Sequence, residues 1–331
     1  MRLYSNAVES MNLFRRRAQR EFKDKKICVL GGGVSEESNI SRKTATSVLE
    51  GLLEIGYNAQ YLEFSKEKIE SIKNFDVVFI CLHGRFGEDG TVQGMCEIFG
   101  IPYTSPDPIS CAVTMNKKIS RGVIGFFGLP YPKFLALQKK NFSNNIDISS
   151  VNIPFPLPYV VKPNFSGSSI GVSLVREVGG LIDSLKEAWK YSEEILIEEY
   201  LDGTEITVAV FQGKVIGSLE IKPKNQPFFS FSAKYESETE YIVPPSADKK
   251  IVEQCENFAE LACSVTDSTY GAVRVDLKLD SSGTPKILEI NSIPGMTKRS
   301  LVPMIAKSKG FEFSELVEAI LGTAETKIVK K

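Results

Sequence analysis

The run Lys-Ile-Cys-Val-Leu-Gly-Gly-Gly at residues 26–33 indicates how the first part of this chain folds. A short apolar run that is closed by glycines is typical of a buried parallel strand followed by a tight turn. Residues 41–55 then show apolar side chains at helical spacing, and Gly56 stands where a helix commonly ends. The chain therefore begins its folded part with a strand, a glycine turn and a helix.

Two more strands are predicted downstream, at residues 60–64 and in the apolar run DVVFICL at 76–82. Strands that alternate with helices predict a parallel sheet covered on both faces. Ligands of such sheets bind at the carboxyl ends of the strands. The glycine turn at residues 31–33 and the His83-Gly84 turn are therefore expected on one functional edge.

Bulk composition excludes several classes of protein. The 331 residues suggest two or three domains, and the net charge of −1 gives no basic field for nucleic acid or anionic lipid. The six cysteines form no CxxC pair, and one histidine leaves no Cys/His zinc set. No apolar run is long enough to cross a membrane. This composition favours a cytoplasmic protein that needs neither nucleic acid nor membrane.

Residues 1–25 are basic, and no apolar region follows the arginines, so they do not have the pattern of a secretory signal. They can form a short basic helix. The favoured interpretation is a solvated, partly ordered extension rather than a membrane or partner-binding element.

The remainder of the chain mixes helices and strands in no repeating order. Loops are predicted at residues 139–158 and 222–240, which are polar and rich in Pro, Ser and Asn or Lys. The other predicted elements are helices at 115–124, 251–263 and 313–321, strands at 159–163 and 195–200, a hairpin of 205–211 with 214–221, and a strand pair of 271–279 with 286–290.

A glycine- and serine-rich stretch, NFSGSSIG at residues 164–171, directly follows a predicted strand. Small residues in that position let several backbone N–H groups converge on a phosphate. The spacing fits neither the dinucleotide fingerprint nor the Walker motif. From the residues alone, a phosphate loop and a plain turn remain equally open.

Acidic residues alternate with apolar ones on the predicted strand pair near the C-terminus. Alternation places Arg274 and Asp276 on one face of their strand, and Glu289 and Asn291 on one face of the next. If the two strands pair, three oxygen ligands converge without histidine or cysteine, a set that suits Mg²⁺ beside phosphate. A solvated strand face is the alternative, and the flanking apolar residues disfavour it.

Three lysines, Lys117, Lys162 and Lys234, lie near these segments. Each alone is best explained as a solvated surface residue, although Lys162 ends an apolar strand and needs an anionic partner or a route to solvent. Together with the glycine loop and the acidic set they describe phosphoryl transfer, which works by positioning and charge neutralisation.

Five motifs, in this order along the chain, resemble the D-alanine–D-alanine ligase family: HGRFGEDGTVQG (83–94), VKPNFSGSSIGV (161–172), AKY (233–235), RVD (274–276) and EINSIPGMTKRSLVP (289–303). The resemblance runs from about residue 26 to 321. It implies an α/β protein of ATP-grasp fold with an N-terminal parallel-sheet domain. The implied units are an extension at 1–25, a substrate domain at 26–105, a central lid domain at 106–199 and a catalytic domain at 200–331.

The resemblance also implies a reaction. ATP phosphorylates the carboxylate of one D-alanine, and the amine of a second D-alanine attacks the acyl phosphate to give the dipeptide used for peptidoglycan precursors. ATP and two Mg²⁺ (or Mn²⁺) are the implied cofactors, D-alanine is the small-molecule partner, and a homodimer is the implied assembly.

Residue roles follow from the same motifs. The resemblance implies that Glu37 and His83 lie at the first D-alanine, Arg274 and Gly295 at the acyl phosphate and oxyanion, and Ser300 and Leu301 at the second carboxylate. It places Asp276, Glu289 and Asn291 on the metal ions. Nucleotide contacts are implied for Lys117, Lys162, Ser168, Ser169, Glu198, Glu199, Leu201, Glu205, Lys234 and Asn291. Ser168, Tyr235 and Glu37 are implied to pin a lid over the site.

Several positions depart from the family pattern: Asn116, Ser166, Ser230, Ser232 and Ser292. None of them is a metal ligand or Arg274, but they bear on loop closure and acceptor choice. A specialised ligase with another acceptor is therefore the first alternative, although Tyr235 favours amide over ester formation. A non-catalytic nucleotide-binding relative is the second, and the complete Arg274, Asp276, Glu289 and Asn291 set disfavours it.

Overall fold

The computed structural model describes residues 2–142, 151–224 and 239–328, and the side chains from residue 6 onward. The first part contains the predicted parallel sheet, in which residues 26–32 form the central strand between residues 58–64 and 77–80. Val29 of the central strand pairs with Tyr61 of one neighbouring strand and with Phe79 of the other. The elements are β1 (Lys26–Gly32), α2 (Ser38–Glu54), β2 (Asn58–Phe64), β3 (Val77–Ile80) and α3 (Thr91–Phe99), with a 3₁₀ turn at Ile69–Asn74. The predicted parallel sheet is confirmed.

The middle of the chain carries an antiparallel sheet, whose strands lie in the order 134–138, 194–199, 159–163 and 173–175. This sheet has its own apolar core around Val161, Leu185 and Trp189. Its elements are α4 (Pro108–Met115), α5 (Lys117–Phe126), β4 (Phe134–Gln138), β5 (Tyr159–Pro163), β6 (Ser173–Val175), α6 (Leu181–Ala188) and β7 (Glu194–Glu199), with 3₁₀ turns at Lys139–Asn141 and Val178–Gly180. Part of the loop predicted at 139–158 lies outside the described residues.

One helix prediction in this region is wrong in its boundaries. The sequence pattern predicts a single helix over 115–124, whereas the structure has α4 and α5 separated by Asn116. Asn116 adopts an extended backbone, and its side-chain oxygen accepts the N–H of Ile119 at 3.1 Å. A side chain that satisfies a free N–H begins a new helix there, and Lys117 becomes its first residue.

The third part is built on a five-stranded antiparallel sheet, whose strands lie in the order 239–242, 214–223, 205–211, 272–279 and 285–291. The predicted hairpin and strand pair are both present. The elements are β8 (Glu205–Phe211), β9 (Lys214–Pro223), β10 (Thr239–Ile242), α7 (Lys249–Val265), β11 (Ala272–Leu279), β12 (Pro285–Asn291), α8 (Leu301–Ser308) and α9 (Phe313–Leu321). Most of the loop predicted at 222–240 lies outside the described residues.

The N-terminal segment departs most from expectation. It forms helix α1 (Arg2–Glu21), so the helical prediction is confirmed, but the interpretation as a solvated, partly ordered extension is wrong. Ala7, Met11 and Ala18 are fully buried, and Met11 and Ala18 belong to the core shared by the first and third parts of the chain. Arg15 Nε lies 3.0 Å from the buried Glu318 Oε2 of α9. Apolar residues at helical spacing decide the packing of this segment, and its arginines lie at the rim.

The glycine after α9 shows how closely α1 is packed. A Cβ atom on Gly322 would lie 1.9 Å from the Phe14 carbonyl oxygen, so only glycine allows this approach.

No helix in the described part of the chain is both long and apolar enough to span a bilayer. The predicted domain boundaries stay predictions.

Candidate active site

The acidic set on β11 and β12 has the register that its predicted role requires. Arg274 pairs with Asn291, and Asp276 pairs with Glu289, across antiparallel strands. Because side chains of directly opposed residues point to the same face, all four project together. We call these four residues the acidic cluster.

Short contacts hold the acidic cluster. Arg274 Nε and Nη2 lie 2.8 and 2.7 Å from the two oxygens of Asp276, a bidentate pair. The Thr207 hydroxyl donates to the same carboxylate. Asn291 Nδ2 donates to Asp276 Oδ2 at 3.2 Å and to Glu289 Oε1 at 3.5 Å. A hydrogen-bond donor therefore bridges the two carboxylates.

The donor chemistry of this cluster fits Mg²⁺ or Mn²⁺. Two carboxylates and an amide supply hard oxygen ligands, and phosphate and water complete such sites in nucleotide enzymes. No group of three or more His, Cys, Asp or Glu side chains suited to a metal occurs in the described ranges, so this cluster needs oxygens from a ligand. Asp276, Glu289 and the side-chain oxygen of Asn291 would hold a divalent ion there.

A second buried group of charges lies on the central sheet. Glu198 is 2% exposed, and its Oε1 lies 2.6 Å from Arg121 Nη1 and 2.8 Å from Lys162 Nζ. Burial alone would raise the pKa of Glu198, but the charges of Arg121 and Lys162 hold it below its ordinary value. Burial lowers the pKa of Lys162 to about 8, against the opposing effect of Glu198. We call these three residues the cation cluster.

One cavity lies between the two clusters, and Lys162, Glu198, Asp276 and Glu289 all line it. Lys117 reaches it from the start of α5, with Nζ 3.5 Å from Glu289 Oε2. Predicted nucleotide residues that line the same cavity are Lys117, Lys162, Ser169, Glu198, Glu199, Leu201 and Glu205.

The glycine loop after β5 closes one side of this cavity. Ser168 and Ser169 have φ of 50° and 58°, a left-handed backbone that costs energy for residues other than glycine. Lys117 Nζ donates to the Ser166 carbonyl oxygen at 2.5 Å. Two strained residues in a loop that a lysine also contacts favour a ligand loop over a plain turn.

A second cavity adjoins the first and collects the residues predicted at the amino acid substrates. It is lined by Glu37, His83, Ser168, Arg274, Asn291, Gly295, Ser300 and Leu301, among others. Ser168 Oγ donates to Glu37 Oε1 at 2.5 Å, which joins the central loop to the first part of the chain. Two of the three residues predicted to pin the lid are thus in contact.

The environment of His83 makes it neutral. Its Nε2 lies 3.0 Å from Thr44 Oγ1, and the side chain is buried. Burial, with the nearby charge of Arg274, lowers the pKa of His83 to about 4. A neutral imidazole there can donate or accept a hydrogen bond but brings no charge to the cavity.

Gly295 lies where a side chain would be crowded. A Cβ atom on it would stand 3.2 Å from Ser300 Oγ, which also accepts the Thr297 N–H at 3.0 Å. The backbone of Gly295 therefore remains accessible from the cavity.

Four charged residues near the site were missed by sequence reasoning. In the sequence Arg121 looks like an ordinary helical cation, and Lys278 and Lys286 look like surface lysines. In the structure each contacts a glutamate: Arg121 contacts Glu198, Lys278 contacts Glu205, and Lys286 contacts Glu199. Glu88 is buried, and burial and the charge of Glu37 raise its pKa well above the ordinary value. Its position within HGRFGEDG was the only available signal. Predicted Lys234 and Tyr235 lie outside the described residues.

Comparisons with known proteins give matches over most of the chain. Two family models match the chain: D-ala D-ala ligase N-terminus over residues 57–106 and D-ala D-ala ligase C-terminus over residues 123–322. A D-alanine–D-alanine ligase of Geotalea uraniireducens is 38% identical over 316 residues, covering 93% of this chain and 98% of the relative. One of Buchnera aphidicola is 40% identical over 302 residues, covering 90% and 98%.

Solved structures give the same result. The Bacillus anthracis D-alanine–D-alanine ligase complexed with ATP matches with a TM-score of 0.77 and 30% identity, covering 90% of this chain and 97% of that one. The VanG D-Ala:D-Ser ligase of Enterococcus faecalis matches with a TM-score of 0.76 and 26% identity, covering 91% and 99%. These matches confirm the predicted ATP-grasp fold, and the chain belongs to the D-alanine–D-alanine ligase family.

Proposed function

We propose that this protein joins two D-alanines to D-alanyl-D-alanine in the cytoplasm, with ATP converted to ADP and phosphate, for peptidoglycan precursor synthesis. The observation that carries this proposal is the place of Arg274. It lines the amino acid cavity and binds Asp276, which lines the nucleotide cavity. A cation at that junction can act on a phosphoryl group and on a carboxylate at the same time.

The first step requires a carboxylate to meet a phosphoryl group of like charge. Lys117 and Lys162 supply positive charge at the nucleotide cavity, and Glu37 in the adjoining cavity offers a carboxylate to the ammonium of the first D-alanine. Two Mg²⁺ or Mn²⁺ ions, held by Asp276, Glu289 and Asn291, would neutralise charge on the phosphates. The γ-phosphoryl group transfers to the carboxylate, ADP forms, and the acyl carbon gains a leaving group.

In the second step the amine of the second D-alanine attacks the acyl carbon. Ser300 and Leu301 lie across the same cavity and are proposed to hold the second carboxylate. Arg274 and the Gly295 backbone N–H are proposed to hold the oxygen that becomes negative in the tetrahedral intermediate. Phosphate then leaves and takes up the proton that the attacking nitrogen loses, and the amide remains.

Water must be kept from the acyl phosphate throughout. The contact between Ser168 and Glu37 supports a closed arrangement of the central loop. Lys234 is proposed to contact ATP phosphate, and Tyr235 is proposed to add a hydroxyl to the Ser168–Glu37 pair. Both assignments stay predictions.

A screen of D- and L-amino acid pairs with ATP, read by mass spectrometry, tests the proposal. D-Alanyl-D-alanine should be the main product, with phosphate release that depends on D-alanine. A dominant product with D-serine or another acceptor would make the chain a specialised ligase, an alternative supported by the likeness to a D-Ala:D-Ser ligase. No D-alanine-dependent phosphate release at all would refute catalysis.

A homodimer belongs to the same proposal. Sedimentation equilibrium of the purified chain should give twice the 36.6 kDa mass of one copy. A single species at the monomer mass throughout the micromolar range would overturn the dimer without touching the reaction.

A further inference from the structure

One oxygen of the cation cluster carries two positive charges. Arg121 Nη1 and Lys162 Nζ both contact Glu198 Oε1, at 2.6 and 2.8 Å. One carboxylate can neutralise only one of these cations, so the cluster has a surplus positive charge. Lys162 lines the nucleotide cavity, whereas Arg121, 2% exposed, lies behind Glu198 on α5. The surplus charge therefore faces the cavity through Lys162.

Arg121 does not line the cavity, and two further contacts hold its guanidinium in place. Its guanidinium carbon lies 5.0 Å from the centre of the Phe134 ring on β4, and Nη2 donates to the Leu288 carbonyl on β12 at 3.4 Å. A guanidinium does not lose its proton in proteins, and its planar group suits stacking. Lys162 has a flexible stem, and among the described residues its ammonium pairs with Glu198 alone. Of the two cations, Lys162 is the one that a ligand can take.

We propose that Arg121 is a positioning residue for the nucleotide: it stays on Glu198 and thereby frees the Lys162 ammonium for a phosphate of ATP. This inference rests on the proposed function, since it assumes that the cavity binds ATP. Without Arg121, a move of Lys162 to phosphate would leave a buried carboxylate unpaired, which is strongly unfavourable. With Arg121, Glu198 keeps a partner in both positions of Lys162.

The test compares Arg121→Met with Arg121→Lys in the full chain, by steady-state kinetics and by equilibrium binding of ATP in the presence of Mg²⁺. Arg121→Met should raise KM for ATP by about ten-fold or more, the scale of one charge-assisted contact. The KM for D-alanine should change by less than about two-fold, because Arg121 is not among the residues that line that cavity. Arg121→Lys, which keeps the charge, should recover most of the ATP affinity.

Arg15→Met is the matched control. Arg15 also binds a buried glutamate, Glu318, with Nε 3.0 Å from Oε2, but it lies on α1 and away from the nucleotide cavity. It should lower the melting temperature and leave KM for ATP unaltered. A general loss of stability is thereby separated from a loss of nucleotide binding.

Arg121→Met combined with Glu198→Gln covers the case in which Arg121→Met fails to fold. Glu198→Gln removes the buried negative charge, so no carboxylate is left unpaired when Lys162 moves to phosphate. The double variant should fold and have a lower KM for ATP than Arg121→Met, or measurable ATP binding where the single variant has none. An unchanged KM for ATP in folded Arg121→Met would overturn the inference. So would equal rises in KM for ATP and D-alanine, or a double variant that binds ATP no better. If the wild-type chain shows no D-alanine-dependent phosphate release, the proposed function fails first and independently.

Discussion

The acidic cluster and the cation cluster border the same cavity but have opposite charge balance. The cation cluster places two positive groups on one carboxylate, and the acidic cluster places two carboxylates around one arginine and one amide. Buried ionic groups are stable only when they are paired, so each cluster is incomplete in a different sense. The first has positive charge to offer phosphate, and the second has oxygen ligands to offer a divalent cation.

Asp276→Asn tests whether the acidic cluster holds a divalent cation. Loss of that carboxylate should reduce turnover by about a thousand-fold or more, because a metal-held phosphate loses several kcal/mol of charge stabilisation. Turnover is measured across a Mg²⁺ titration. Asp280→Asn, in the turn between the same two strands, is the control and should keep normal rates. Near-normal turnover of Asp276→Asn at limiting Mg²⁺ would contradict the metal assignment.

Arg274→Ala tests whether the one cation of the acidic cluster acts in catalysis. We expect turnover to fall by about 10²–10³, the scale for losing one preorganised donor. ATP affinity should change far less, since Lys117 and Lys162 remain. Single-turnover kinetics with separately measured ATP binding distinguishes the two effects. A variant that lost mainly ATP binding would place Arg274 in ground-state binding instead.

A smaller effect is expected from Ser168→Ala, which removes the 2.5 Å contact to Glu37. A hydrogen bond to a charged group contributes about 1.5–3 kcal/mol, so KM for the first D-alanine should rise by about ten-fold or more. Ser184→Ala serves as control, since it removes a hydroxyl whose one hydrogen bond among the described residues is to the Gly180 carbonyl. Equal kinetics of the two variants would show that the Ser168–Glu37 contact does not organise the substrate.

The smallest expected effect concerns the protonation of His83, which is followed by pH titration. The chain has one histidine, so its imidazole resonance is unambiguous by NMR. With a pKa of about 4 instead of 6.5, His83 should stay neutral from pH 8 down to about pH 5. The unfolded chain binds this proton first, so stability should fall as pH drops from 6.5 towards 4. A midpoint near 6.5 in the folded chain would mean that the imidazole is not buried beside Arg274.

The two clusters also differ in how far the sequence predicted them. Arg274, Asp276, Glu289 and Asn291 follow strand alternation, so one assumption about pairing brought them together, and the register bears it out. The cation cluster depends on a helix, α5, meeting two separate strands. No local pattern encodes that contact, and Arg121 among lysines resembles a solvated face.

The same reasoning explains the errors in the fold. Asn116 separates α4 from α5 through a side-chain cap, which competes with helix propensity over a few residues. The arginines of helix α1 suggested a solvated extension, and part of the surface that binds the helix lies on α9, some 300 positions away. Short, strongly apolar strands such as β1 and β3 were predictable because burial on both faces leaves a continuous pattern.

The packing of α1 has a consequence for biosynthesis. Arg15 and its partner Glu318 are separated by 303 residues, so the ribosome makes the helix long before the surface that covers it. During that interval the apolar face of α1 stays available to chaperones or to neighbouring nascent chains. A ribosome stalled before α9 would therefore carry a helix with part of its apolar face uncovered.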